Sequence, residues 1–218
     1  MSAATIPDIN SLPRRSQRGE PTWEVALAYP RQGEWTESEY LALQNNHFVE
    51  LSDGFLEFLP MPLPLHQKIV EFLFLALKAF VSSHALGDLY FAPLPVHLWF
   101  GKFREPDIVF LKPGRLRDLR EPPEGADLAV EVVSEGEENR RRDLTTKRLE
   151  YAHAGIFEYW IVDPENRQIT VLTLDTANKV YREHGVFGAG SRATSVLLVG
   201  FEVDVNAVFA AGEQNLAK

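Results

Sequence analysis

Apolar positions recur along this chain with two different periods, and the switches between them mark its elements. From Leu65 to Ser83 the residues Ile69, Phe72, Leu73, Leu77 and Phe80 fall at helical spacing, with Leu75 and Ala76 widening the stripe. That girth predicts a helix buried against a sheet. Before it, HFVELSDGFLEFL (47–59) reads as two strands around Asp53-Gly54, a two-residue hairpin signal. The resulting register sets Ser52 opposite Phe55, Leu51 opposite Leu56 and Glu50 opposite Glu57. Thr36 and Glu39 match a capping box, so a short helix is expected from Thr36 to about Gln44, broken by Asn45-Asn46. After the long helix, LYFAPLPVHLWF (89–100) reads as one strand, at an edge or bulged because Pro93 and Pro95 interrupt it.

Three further segments are apolar nearly throughout. REPDIVFL (104–111) reads as a strand opening with Asp107, ADLAVEVV (126–133) as a buried strand, and EYWIVD (158–163) as another. Lys112 to Gly125 is a polar loop, and NRRRDLTTKRLEYAHAG (139–155) is a helix. Beyond Asp163-Pro164, ITVLTL, VYREHG and SVLLVGFEV read as an antiparallel meander. Residues 1–21 lack periodicity and are expected to form a flexible arm, with one domain over 22–210 and a tail at 211–218. The order predicts an α/β fold with a mixed sheet, because crossover helices are too few for a doubly wound one.

Composition narrows the class. The chain has 218 residues, 45% hydrophobic and 24% charged, which fits one ordinary globular core. Cys is absent, which excludes disulfides and thiolate metal sites and makes a reducing cytoplasm the expected compartment. No apolar run approaches the roughly 18 residues of a membrane span, and the amino terminus has no apolar signal-type run. The net charge of −9 runs against phosphate binding. Yet Arg140, Arg141, Arg142, Lys147 and Arg148 stand within one helix with a single acid among them. Such a patch can meet a phosphate backbone or simply be a solvated helix face.

The candidate chemistry lies among the buried-looking strands. Glu131 sits between Leu128, Ala129, Val130 and Val132, Val133; a carboxylate there is costly unless a cation or hydrogen bonds compensate it. Asp107 stands at the mouth of its strand after Pro106, and Lys147 lies between Leu144 and Tyr151 on the predicted buried side of its helix. Two carboxylates on successive strands and a following lysine suggest a site for one hard metal ion and hydrolytic chemistry. Each residue also has a plainer role: a turn-capping aspartate, a buried salt bridge, a snorkelling lysine. Glu50 faces Glu57 across the hairpin, an unfavourable pairing unless a cation or water intervenes, with exposure the simplest relief for Glu57. His66 opens the long helix and could reach a site near the strand ends, although a histidine there is more often a surface or packing residue.

The runs DLAVEVVS (127–134) and RRDLTTKRLEYAHAGIFEYWIVDP (141–164), with VELSDG (49–54), PLHQ (64–67) and EPDIVF (105–110) upstream, resemble the Uma-type restriction endonucleases of the PD-(D/E)XK nuclease superfamily. The resemblance spans roughly Trp35 to Phe209. It implies a restriction-endonuclease-like αβββαβ core, preceded by a helix and hairpin and followed by a β-rich extension. Asp107 then matches the aspartate of the first half-motif and Glu131 the acid of the second. Val133 stands where that motif's lysine is expected, and Lys147 looks like the displaced lysine on the following helix. Glu50 and His66 match acidic and histidine positions of earlier motifs, while Ser134-Glu135-Gly136 departs from the usual Ser-Pro. The resemblance implies Mg²⁺, with Mn²⁺ as a substitute, on Asp107, Glu131, Glu50 and the Val132 carbonyl, catalytic help from Lys147, and DNA as substrate. Arg142 and Arg148 are the expected substrate contacts, and a homodimer is the expected assembly. The rival expectation is a catalytically silent module that keeps the fold for binding or regulation.

Overall fold

A computed structural model describes residues 29–43 and 48–213. The arm 1–21, Asn45-Asn46 and most of the tail lie outside the described residues. Helix α1 (Glu37–Leu41) begins as the capping box dictates. The Glu39 N–H donates to Thr36 Oγ1 at 3.3 Å while the Thr36 N–H donates to the Glu39 carboxylate at 2.9 Å. It ends at Leu41, short of the expected Gln44. The hairpin of β1 (Val49–Ser52) and β2 (Phe55–Phe58) has the anticipated register. Its turn needs positive φ at Asp53 (51°) and Gly54 (84°), and a Cβ on Gly54 would stand 2.6 Å from the Gly33 carbonyl oxygen.

Helix α2 (Pro64–Ser83) buries Ile69, Val70, Leu73, Leu77 and Val81. The segment read as a single strand after it is in fact two: β3 (Asp88–Phe91) and β4 (Val96–Trp99), in different sheets. Pro93 and Pro95 cannot donate to a ladder, so the chain leaves one sheet and enters the other between them. Strand β5 (Lys102–Arg104) closes a four-stranded sheet in the order β2-β1-β5-β4. Arg104 thus belongs to β5, and Glu105-Pro106-Asp107 carries the chain across to β6 (Ile108–Leu111).

Strands β7 (Leu128–Val132), β8 (Glu158–Asp163), β9 (Gln168–Asp175) and β10 (Val180–Phe187) complete a six-stranded sheet in the order β10-β9-β8-β7-β6-β3. β7 and β8 pair in parallel and the other neighbours antiparallel, so the sheet is mixed as expected. The β7–β8 crossover is helical from Glu137 to Ala154: α3 (Glu137–Arg141), a π-helical turn (Arg142–Thr146) and α4 (Lys147–Ala154) replace the uninterrupted helix read from the sequence. Alternation along β7 sends Leu128, Val130 and Val132 to the core under α2, and Ala129 and Val133 to the core that holds Tyr151 and Ala152 of α4. Glu131 shares that second face, which is why a helix lysine can reach it.

The carboxyl-terminal region departs most from expectation. The β9–β10 hairpin is present, but SVLLVGFEV is not a strand over its length. Short strands β11 (Arg192–Thr194) and β12 (Glu202–Asp204) pair around a loop held to the sheet by buried Glu158. The carboxylate of Glu158 accepts from Ser195 Oγ at 2.6 Å and from the Val196 and Leu197 N–H groups at 2.7 Å each. Those bonds favour a loop where the apolar run predicted a strand. Helix α5 (Val205–Glu213) then follows where more strand was expected. The Asp204 carboxylate caps it by accepting from the Ala207 N–H at 3.1 Å, and Val205, Val208 and Phe209 turn one face toward the α2 core.

Candidate active site

The crossing from β5 to β6 brings the two sheets' acids together. Lys147, the first residue of α4, is buried and donates from Nζ to Glu131 Oε1 at 2.8 Å. The same ammonium stands 3.6 Å from Glu50 Oε1 and 3.7 Å from Asp143 Oδ1. Asp143, Lys147 and Tyr151 follow at intervals of four along the helical segment, so all three point inward. The Tyr151 hydroxyl donates to Glu131 Oε1 at 2.5 Å. Asp107 Oδ2 accepts from the Val132 N–H at 2.7 Å and pairs with His66 Nε2 at 3.1 Å.

Behind Lys147, Glu50 is fully buried and accepts from Arg104 Nη1 and from the Glu105 N–H, each at 2.9 Å. Arg104 also donates to Glu57 at 2.6 Å and to Glu150 at 2.7 Å. The like-charge pair Glu50–Glu57 is therefore relieved by a cation between them, where exposure of Glu57 was the simpler expectation. Competing carboxylates hold the Arg104 proton well above its ordinary range despite burial.

Asp107, Glu131, Lys147, His66, Val132 and Arg142 line one cavity, together with Glu105 and Asp143. Four carboxylates thus face two permanent cations there. The deficit shows in their proton affinities. Burial pushes Glu131 up to about 8, because Lys147 is divided among three acids while Asp107 and Asp143 add repulsion. Burial, with Glu50 nearby, pushes Glu105 up to about 7, and burial raises Asp143. Glu50 goes the other way: burial opposes its charge, but Lys147 and Arg104 hold it below the ordinary range. Burial lowers His66, yet its bond to Asp107 outweighs this and raises it overall. Among the described residues, the buried side-chain polar atoms without a hydrogen bond are His66 Nδ1, Glu105 Oε2, Arg142 Nε and Asp143 Oδ1, the last two facing each other as an ion pair at 3.6 Å, and all four residues line this cavity.

Several expectations change in detail. Glu50 does not line the cavity; it reaches the group only through Lys147 and the Glu105 backbone. Val132, whose carbonyl is the expected metal contact, lines the cavity, and its N–H in addition holds Asp107. Arg142 lines the cavity, whereas Arg148, one helix position past Lys147, does not. Glu105, Asp143 and Tyr151 were missed. The spacing of Asp143 and Tyr151 from Lys147 was the available signal, while Glu105 read only as a residue before proline.

The donor set suits a hard divalent cation. It is all oxygen apart from His66, holds more acids than permanent cations, and includes buried carboxyl oxygens lacking hydrogen bonds. No three His, Asp or Glu side chains among the described residues stand close enough to hold an ion together. The set therefore fits Mg²⁺ held by one or two carboxylates with waters completing its shell, and fits a full protein cage poorly.

The Uma2 family, described as "Putative restriction endonuclease", matches residues 37–206. The chain belongs to this family. The match runs from the start of α1 into α5 and includes every residue that lines the cavity. A solved structure from Anabaena variabilis ATCC 29413, described as a "putative nuclease belonging to DUF820", superposes with a TM-score of 0.67 at 17% sequence identity. The match covers 82% of this chain and 99% of that one. At that identity the likeness establishes a shared fold, and it bears out the nuclease-like α/β architecture with a mixed sheet. No curated protein matches the chain. No helix among the described residues is long and apolar enough to cross a membrane.

Proposed function

We propose that this protein is a metal-dependent endonuclease that hydrolyses DNA phosphodiester bonds, with Mg²⁺ as the working ion and Mn²⁺ as a substitute. One observation carries the reading: a cavity in which buried acids outnumber cations and keep oxygens without hydrogen bonds. Such a group is costly to build for stability alone, since uncompensated buried charge destabilises a fold. Membership of a family described as "Putative restriction endonuclease" supports the reaction class.

In this reading Asp107 and Glu131 hold the ion. Bound there, Mg²⁺ supplies neutralisation of phosphate oxygens and a more acidic water. Lys147 presents a permanent ammonium toward charge that develops on the phosphate, a role of the oxyanion-hole type. Tyr151 fixes the orientation of Glu131 through its 2.5 Å bond, and Val132 and His66 fix that of Asp107. Arg104 and Glu50 form the buried support on which Lys147 rests. Arg142, whose Nε makes no hydrogen bond and only a 3.6 Å ion pair with Asp143, is placed to meet a substrate phosphate.

A second reading has its own observation. Lys147 already stands among three carboxylates, as the built-in counter-ion of a silent binding module would. Incubation of the full chain with supercoiled plasmid and with single-stranded DNA, in Mg²⁺ or in EDTA, separates the two. The nuclease reading expects Mg²⁺-dependent cleavage that EDTA abolishes and Lys147→Ala suppresses. Absence of cleavage in Mg²⁺ and in Mn²⁺ would leave the silent module.

A further inference from the structure

A second, larger depression opens directly onto the acidic cavity. It is bounded by the linker that enters α2, by the loop after β7 and by the start of the loop after β8, and it shares His66 and Ser134 with that cavity. The two differ in size and chemistry. The acidic cavity measures about 60 Å³, room for waters and phosphate oxygens but not for a ring system. The neighbouring groove measures about 480 Å³, within the roughly 300–1,000 Å³ of small-molecule sites.

The floor of the groove is apolar, with Met61 (67% exposed), Leu63 (52%) and Leu65 (38%) all lining it. Exposed apolar side chains gathered in one groove usually mark a contact surface. Its rim is acidic: Glu135 and Glu165 are exposed, and the cation nearby, Arg140, is already tied to Asp163 at 2.7 Å and to Glu165 at 2.9 Å. A phosphate would be repelled by this rim. A flat, uncharged group with N–H donors on its edge would be favoured, because apolar side chains cover its faces and carboxylates accept from its amines.

We infer that this groove holds an unstacked nucleobase next to the phosphate being cut, so that the substrate is single-stranded or locally melted DNA. The inference rests on the nuclease reading and adds the substrate class to it. Duplex DNA keeps its base faces stacked, so a base reaches the groove only where the strand is single or opened, at the expense of unstacking. Bases with an exocyclic amine, cytosine above all, suit the acidic rim best.

Binding of the full chain is measured by fluorescence anisotropy with Ca²⁺ in place of Mg²⁺. The probes are a labelled single-stranded oligo(dC), an equally long strand of abasic residues, and the dC·dG duplex. Oligo(dC) is expected to bind at least about tenfold more tightly than either, in line with burying roughly 60 Å² of one base face against apolar side chains. The double variant M61S/L63A, altered only at exposed positions and leaving the uncapped start of α2 without a new capping side chain, should erase that preference without moving the melting temperature. Equal binding of the three probes, no binding of any, or a preference that survives in the variant overturns the inference. So does a dimer that the variant dissociates, since the groove would then join two copies of this chain. Mg²⁺-dependent cleavage assayed alongside keeps the two claims separate. Cleavage of abasic and duplex strands at the oligo(dC) rate sinks the base groove and spares the nuclease. Groove-dependent binding without cleavage does the reverse.

Discussion

Replacing Glu131 with Gln should stabilise the metal-free protein, although Glu131 makes the shortest ionic contact in the cavity. The carboxylate pairs with Lys147 at 2.8 Å, yet its proton affinity is raised from 4.5 to about 8. The folded value lies above the unfolded one, so protons favour the fold. This group's contribution is fully present below about pH 4.5 and is lost as the pH rises through about 8. At pH 7.5 an unfolded glutamate is about three pH units past its ordinary midpoint, worth about 4 kcal/mol, and partial ionisation in the folded chain recovers only about 0.2 kcal/mol of that. Glutamine never ionises, so the gain at pH 7.5 is about 4 kcal/mol as an upper limit, shrinking to about 1 kcal/mol at pH 5. Its Oε1 still accepts from Lys147 and Tyr151, and Lys147 keeps Glu50 and Asp143 as counter-ions. Urea unfolding in EDTA at both pH values reads the difference directly. A variant less stable than wild type at pH 7.5, or a difference independent of pH, would show that Lys147 fully compensates Glu131 and that the cavity has no charge deficit.

Other changes separate the supporting parts of the site. Lys147→Ala should cut cleavage by about 10²–10³ while Mg²⁺ still raises the melting temperature, because the lysine is not a ligand. Arg104→Met leaves Glu50 buried beside Glu57 with one cation fewer and should cost about 3–5 kcal/mol in denaturant unfolding. Arg142→Ala should weaken DNA binding more than Arg148→Ala and flatten its salt dependence, since Arg142 alone of the two lines the cavity. Away from the site, burial opposes the charge of Asp127, but bonds from Arg115 and from the Lys112 N–H hold its carboxyl below the ordinary range. That stability is present above about pH 4 and is lost as the pH falls, so Arg115→Ala should reduce the resistance to acid unfolding.

The elements around the site were legible because each carries a local signal. Asp53-Gly54 fixed the hairpin and its register, the apolar stripe of α2 gave its length, and apolar runs marked β6, β7 and β8. What failed depended on contacts distant in sequence. The loop at Ser195–Leu197 is decided by the Glu158 carboxylate, and the chain switches sheets at Pro93 and Pro95 because the ladders on either side belong to different partners. The site shows the same division. Lys147 was placed by its neighbours on the helix face, and the geometry brings its ammonium to Glu131. No pattern could show that Arg104, from the other sheet, would bind Glu50, Glu57 and Glu150 at once, or that Glu105 would turn inward from a pre-proline position.

The central claim is that the cavity between Asp107 and Glu131 takes up a divalent cation. Mn²⁺ titration followed by electron paramagnetic resonance, on the wild-type chain and on Asp107→Asn, tests it without reference to catalysis. The account predicts one saturable ion per chain in the wild type, competed by Mg²⁺ and tighter as the pH rises from 6 to about 8 while Glu131 loses its proton. Asp107→Asn should lose that ion. No saturable Mn²⁺ on the wild-type chain, or equal uptake by both proteins, would contradict it.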